Sequence, residues 1–425
     1  MPRYKFAHSV SECLAVASHP LRVEDRSVFT WEGVNYHVPV SHGTRRLLSD
    51  VYGYVKPGTL TALMGASGAG KTTCLDVLAK RKDTGIVCGD ILVDGRPTEP
   101  DFARSTAYAE QMYVHEGSAT VREAMRFSAH LRQSFHVPRE EKNAYVEEMI
   151  ELLDLHDFAD AIVHSLDLKT LKRLTIGVEL ASKAGLLLFL DEPTSGLDAQ
   201  GARDLIRVLR RLADQGQAIL CTIHQPSSLL FESFDRLLLL ENGGHTVYFG
   251  DIGPDSCVVR EYFARHGAAC PLQEANPAEY MLDAIGAGTS PRIGRRDWKD
   301  IWRDSPEFEL VKEEILELKR SAASVKNKTA SKCEWSNGDR TCNLSRRIDA
   351  TPFLYQLIAV TKRNFVTLWR SPGYIFTRLI LHIFTALFSS LVFLQLGRTE
   401  RDLQYRVFSM YCPIMFVHSI LLIIS

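Results

Sequence analysis

Gly65-Ala66-Ser67-Gly68-Ala69-Gly70-Lys71-Thr72-Thr73 fits the phosphate-binding pattern G-x-x-x-x-G-K-[ST]. Glycines let backbone N–H groups close around phosphate oxygens, and a helix N-terminus behind them adds partial positive charge. In such a loop Lys71 reaches the β- and γ-phosphates of ATP, and the Thr72 hydroxyl ligates Mg²⁺. A second candidate is the apolar run Leu188-Phe189-Leu190, which ends in Asp191-Glu192. A buried strand avoids adjacent acids unless a cation or partner compensates their desolvation. Asp191 is therefore expected to hold Mg²⁺ beside Thr72, and Glu192 to polarise an attacking water. His224, at the end of the run Ile219 to Ile223, is a candidate γ-phosphate sensor. A lone histidine is more often structural. Its place at a strand end after the paired acids favours the sensor.

These residues need strands and helices to carry them. Leu60 to Met64 reads as a buried strand, and Thr72 to Arg81 as the helix after the glycine loop. From residue 60 to about 250, apolar strand-like runs alternate with helical stretches, which implies an α/β domain. Leu186 to Leu190 and Ala218 to Thr222 are two of its strands. Leu237 to Glu241, Asn242-Gly243-Gly244 and His245 to Phe249 read as a hairpin. Val28 to Val40 reads as a strand or hairpin. The pattern is helical from about 255 to 320. Residues 321–350, rich in Ser, Lys, Asn and Thr, read as a flexible linker. Its two N-x-[ST] sites, at Asn327 and Asn343, are expected to stay unmodified in a cytosolic linker. No internal repeat is evident.

Composition narrows the function classes. Fifty basic and 51 acidic residues leave a formal net charge of −1, so no electrostatic footprint for nucleic acid exists. Nine scattered cysteines form no C-x-x-C pair, which argues against a zinc or redox motif and suits a reducing compartment. Met1-Pro2-Arg3-Tyr4-Lys5 leads into no apolar run, so no cleavable signal peptide is expected.

The C-terminal end differs. Ile375 to Leu396 is 22 residues long and almost entirely apolar. As a helix it would span about 33 Å, enough for a hydrocarbon core of about 30 Å. Arg378 near its start can snorkel. His382 lies deeper and keeps a buried soluble helix as the alternative. A second apolar run from Val407 to Ser425 favours membrane helices. Lys362, Arg363 and Arg370 place the preceding flank in the cytoplasm by the positive-inside rule. The second run stops without a polar flank, so the chain reads as part of something longer.

Several ordered motifs carry a family resemblance over residues 27–425. Gly65 to Thr73, Phe189 to Asp198, and Thr222-Ile223-His224-Gln225-Pro226-Ser227 resemble the Walker A, Walker B with D-loop, and H-loop of an ABC transporter ATPase. The D-loop residues are Ser195, Gly196, Leu197 and Asp198. Tyr108-Ala109-Glu110-Gln111 resembles the Q-loop, which implies Gln111 as a catalytic residue and a Mg²⁺ ligand. Lys172 to Leu180, Asn276 to Gly286 and the order of ATPase before membrane helices resemble the G subfamily, in its fungal-type pleiotropic-drug-resistance branch. The resemblance implies an α/β P-loop NTPase followed by α-helical transmembrane segments. It divides the chain into an N-terminal extension (1–26), a nucleotide-binding domain (27–255), its helical extension (256–320), the linker (321–350) and the start of a membrane domain (351–425).

Two departures from the family pattern stand out. The signature usually reads Leu-Ser-Gly-Gly-Gln, whereas here it is Leu166-Asp167-Leu168-Lys169-Thr170. Asp167 adds negative charge and Leu168 adds bulk where a partner's ATP would be gripped. This degeneracy resembles the second ATPase half of a full-length transporter, whose partner half carries an intact signature. The adenine-stacking aromatic is the other departure: Val38 takes its place with Tyr36 close by, and neither is assigned. The implied partners are that second half, in the same parent chain or another subunit, together with membrane lipid and a hydrophobic small-molecule substrate. The implied location is a membrane, with multiple spans and a cytoplasmic ATPase domain, and the plasma membrane foremost. A truncated or regulatory ATPase that binds ATP without transporting is the competing class.

Overall fold

The computed structural model describes residues 27–41, 43–99, 102–112, 114–268, 276–287, 296–330, 350–392, 394, 399–408 and 411. Two compact units are present, one ending at Pro352 and a second from Phe353 onward that also takes in Glu116–Ala119.

The first unit is built on one ten-stranded sheet. Its strands are β1 (Phe29–Val40), β2 (Gly43–Val55), β3 (Leu60–Gly65), β4 (Ile86–Val93), β5 (Arg96–Pro97), β6 (Thr106–Ala109), β7 (Leu187–Leu190), β8 (Ile219–Thr222), β9 (Arg236–Glu241) and β10 (His245–Asp251). Their order is β5-β4-β1-β2-β10-β9-β3-β8-β7-β6. β1 pairs antiparallel with β2 and β4, so the stretch read as a strand or hairpin is the first arm of a hairpin. β9 and β10 form the second expected hairpin. The other half is parallel: β9, β3, β8, β7 and β6 run the same way. Every residue of β3, β7 and β8 is buried, as parallel strands covered on both faces require.

Among the described residues, the helices of six or more residues in this unit are α1 (Lys71–Leu78), α2 (Val121–Arg132), α3 (Arg139–Leu152), α4 (Leu168–Leu180), α5 (Ala199–Asp214), α6 (Cys257–Arg265), α7 (Pro277–Ala284), α8 (Trp298–Arg303) and α9 (Pro306–Ala330). Thr120 and Glu123 close a capping box at the start of α2. Helices α6, α8 and α9 pack back on the sheet through aromatics, and Tyr280 of α7 meets Phe263 of α6. Tyr248 of β10 meets Tyr262 and Trp302, and the Tyr262 hydroxyl donates to Val247 O at 3.0 Å. Helix α9 runs on to Ala330, ten residues into the stretch read as linker. Three alanines and two lysines between 321 and 330, with no Gly or Pro, suit a helix. The rest of that stretch, 331–349, lies outside the described residues.

In the second unit, α10 (Phe353–Trp369) is followed by α11 (Pro372–Val392). Phe376, Ile380, Phe384, Leu387 and Leu391 of α11 are exposed. Thr377 and Thr385 return their hydroxyls to Gly373 O and Leu381 O of their own helix. Of the expected span 375–396, residues up to Val392 lie in α11, and residues 393 and 395–398 lie outside the described residues. Among the described residues no helix is long and apolar enough to cross a membrane. Arg378 and His382 lower the apolar character of α11. Most of the second run, 407–425, also falls outside the described residues.

Candidate functional site

Four parallel strands end on the same edge of the sheet, where α/β proteins place ligands. β3 delivers the glycine loop, β7 delivers Asp191 and Glu192, β8 ends at Thr222 two residues before His224, and β6 leads to Gln111.

The loop is shaped for close approach. A Cβ on Gly65 would lie 2.4 Å from the Leu240 carbonyl oxygen, so only glycine fits. Gly70 caps α1 in the left-handed region with φ of 97°. Ser67 and Gly68 are exposed at the tip, Ala66 is half-buried, and Ala69 is buried. Lys71 is 7% exposed, and its Nζ donates to Gly65 O and Ala66 O, both at 3.1 Å. Burial pushes its pKa down, while Glu192 and Asp191 act in the opposite direction. Thr73 continues the helix, half-buried.

The acids converge on this loop. Thr72 Oγ1 donates to Asp191 Oδ1 at 3.1 Å, and Thr222 Oγ1 donates to the same oxygen at 2.7 Å. The Glu192 N–H donates to Thr222 Oγ1 at 2.7 Å. Glu192 has φ of 45°, a strained conformation for a residue with a side chain, of the kind that clusters at functional sites. Gln111 Nε2 donates to Glu192 Oε2 at 3.1 Å. A cleft of about 660 Å³ opens here, with Thr72, Asp76, Tyr108, Gln111 and Asp191 in its wall. A hydroxyl, a carboxylate and a carboxamide beside a loop of backbone donors and a buried ammonium form the donor set that a nucleotide triphosphate with Mg²⁺ requires. The residues present fit that ligand.

His224 is exposed just beyond β8. The turn after it is tied down by Asn276, whose Nδ2 donates to Pro226 O at 3.0 Å while its Oδ1 caps α7. Ser195 and Gly196 are exposed, and Leu197 is half-buried. Asp198 caps α5 by accepting the Gly201 N–H at 3.0 Å.

The segment Leu166 to Thr170, expected to stand in the signature's place, makes local contacts. Asp167 caps α4 by accepting the Thr170 N–H at 3.2 Å, and hydrogen bonding from Thr170, chiefly from its side chain and less from its backbone, holds the Asp167 carboxyl below the usual range. Lys169 pairs with Asp204 of α5 at 2.5 Å. Leu168 lies against the D-loop, with its Cδ2 only 3.1 Å from where a Cβ on Gly196 would stand. Leu166 is half-buried and Thr170 buried. Tyr36 is buried and donates its hydroxyl to Thr84 O at 2.7 Å, while Val38 is half-buried.

Two contributors lie in stretches that carry the family resemblance but were given no role there. Thr222 joins both acids, and only a polar residue at the end of an apolar strand hinted at it. Lys172 is 6% exposed and donates to Gln111 O at 2.9 Å. In sequence it is one more charge on an amphipathic helix.

Comparison with known proteins follows the same division. A family described as ABC transporter matches residues 48–195, and families described as ABC-2 type transporter match 224–324 and 355–425. The ABC multidrug transporter I of Aspergillus fumigatus is 57% identical over 395 residues, which is 92% of this chain and 26% of that protein. The brefeldin A resistance protein of Schizosaccharomyces pombe is 48% identical over 389 residues, which is 90% of this chain and 25% of that protein. The chain thus spans about a quarter of the length of these curated relatives. A solved ATP-binding subunit of an ABC transporter aligns at 19% identity with a TM-score of 0.48, covering 60% of this chain and 98% of its own.

Proposed function

The chain belongs to the ABC transporter family, and from that premise we propose that it is the ATP-binding and ATP-hydrolysing half of a transmembrane exporter of drugs, xenobiotics or lipids. The observation that carries this reading is the meeting of the Thr72 and Thr222 hydroxyls on one oxygen of Asp191, directly beside the phosphate loop.

In this reading the backbone donors of Gly65 to Thr73 and the ammonium of Lys71 hold the phosphates. Thr72, Asp191 and Gln111 hold Mg²⁺. When bound, that ion neutralises charge on the β- and γ-phosphates. Glu192 orients a water and accepts its proton, with Gln111 fixing the carboxylate and His224 contacting the γ-phosphate from the end of β8. Ser195, Gly196, Leu197 and Asp198 face the second ATPase half. The α4 N-terminus is already capped by Asp167, so its donor is engaged by a carboxylate of its own. In this reading an intact signature is supplied by the second half. Residues 351–425 begin a multi-pass membrane domain, with residues 27–255 and their helical extension, 256–320, on the cytoplasmic side. The ABC-2 type match at 355–425 supports that assignment.

Equilibrium titration of the full chain with mant-ATP and Mg²⁺ tests the nucleotide reading. Saturable binding that Lys71→Ala abolishes is expected, and a parent chain with no such binding would overturn it. Detergent-free fractionation tests the membrane reading: the chain is expected in the membrane pellet, and recovery in the supernatant would contradict it.

A further inference from the structure

Helix α4 presents Lys172, Thr175 and Glu179 on one face, spaced by three and four residues. Each reaches the segment that carries Gln111. Lys172 Nζ donates to Gln111 O at 2.9 Å. His115 Nε2 and Thr175 Oγ1 lie 2.9 Å apart. The Thr175 Oγ1 also lies 3.0 Å from Leu171 O of its own helix. At the other end, Glu179 Oε2 accepts the Tyr108 N–H at 3.2 Å and is held by Arg132 at 2.9 Å. The three contacts bracket Gln111, whose carboxamide donates to Glu192.

Lys172 needs a reason to be where it is. Burying an ammonium is costly unless it is paired. Burial pushes its pKa down, and the charges of Glu192 and Asp191 work against that. It therefore stands within electrostatic reach of both acids while its hydrogen bond goes to the backbone of Gln111. A residue serving only the helix surface would leave its ammonium in water.

We propose that Lys172, assisted by Thr175 and Glu179, is a positioning residue that registers the Gln111 backbone so that its carboxamide stands against Glu192 and beside Thr72 and Asp191. The inference rests on the reading of that cluster as an ATP–Mg²⁺ site. Outer partners of metal ligands govern ligand orientation, and losing one lowers metal affinity by about 10- to 100-fold.

The test uses the full chain and mant-ATP, with Mg²⁺ varied against an EDTA control. Lys172→Met keeps the length of the side chain and removes the donor. It should raise the Mg²⁺ concentration for half-maximal binding about tenfold and leave binding in EDTA unchanged. Combined with Gln111→Ala, it should add no further shift. In the nucleotide-free chain, amides from Ala109 to Met112 should exchange faster with solvent, while those of β7 and β8 keep their rates. Thr175→Val, at a half-buried position, should shift the Mg²⁺ midpoint in the same direction, and it carries the test alone if Lys172→Met does not fold. An unchanged Mg²⁺ midpoint in the folded variants, or an equal shift with and without the Gln111 side chain, would overturn this inference alone. A parent chain that binds no mant-ATP would overturn the nucleotide reading and this inference with it.

Discussion

One hydroxyl ties the two acids of the site together. Thr222 donates to Asp191 and accepts the backbone N–H of Glu192, and that backbone is in the left-handed region. Thr222→Val keeps the shape and removes both bonds. Leaving a buried donor unsatisfied costs about 1–3 kcal/mol, so the urea midpoint should fall. Turnover should fall further than nucleotide affinity, because Glu192 loses its orientation. Thr222→Ser, which keeps the hydroxyl, should stay near the parent in both measurements, and equal damage from the two variants would show that the hydroxyl is not the cause. Glu192→Gln should retain mant-ATP binding and abolish phosphate release in a coupled assay, since in the proposed mechanism the carboxylate acts on water and not on the nucleotide. Parental turnover by Glu192→Gln, assembled with a half carrying an intact signature, would remove the general base from that position. The motif residues were legible because their chemistry demands particular side chains at particular spacings. The roles of Thr222 and Lys172 were not, because they arise from strand and helix neighbours far apart in the chain.

At the scale of elements, α4 shows what the altered signature does. Asp167 caps it, Lys169 joins it to α5, and Leu168 packs against the D-loop. Asp167→Ala should lower stability by about 1 kcal/mol through loss of the cap, whereas Asp167→Ser should lose little. Replacing Asp167 by Ser together with Leu168 and Lys169 by Gly should have two opposed effects. ATPase activity of the homodimer should rise, because donors are freed for the partner's phosphate. The melting temperature should fall, because the Lys169–Asp204 pair is lost and each glycine in a helix costs about 1 kcal/mol. A parent homodimer that already hydrolyses ATP as fast as the mixed pair would sink the asymmetric reading. Element types were largely legible. β3, β7 and β8 are short apolar runs bounded by turn signals, and the Asn242-Gly243-Gly244 turn announced the second hairpin. Polar composition alone suggested a linker from 321, yet helix-compatible residues carry α9 to Ala330.

For the whole molecule, the pairing order of ten strands was beyond the sequence. It depends on contacts such as β2 beside β10, which join residues about two hundred positions apart. That assembly buries titratable groups that no local pattern marks. Four histidines of the first unit, His115, His130, His245 and His266, have their pKa pushed down, in each case chiefly by burial. His245 is also opposed by the charges of Lys299, Arg303 and Arg46, outweighing Asp300. In the unfolded chain a histidine titrates near its ordinary value of about 6.5. Below that pH the unfolded state binds protons that the folded state refuses, so folding weakens as pH falls and levels off once the folded-state values are passed. Asp167 and Asp204, whose pKa values are also lowered, lose stability on acidification as the histidines do, but in a lower pH window. Their lowered pKa values add stability above the carboxylate range, and it is lost only in stronger acid. Thermal melts of the full chain from pH 7.5 to 5.0 at fixed ionic strength should therefore show a falling melting temperature. His245→Gln, which cannot be protonated, should flatten part of that slope. A melting temperature that rises on acidification through this range would mean that protonated histidines are welcomed by the fold, contrary to their burial.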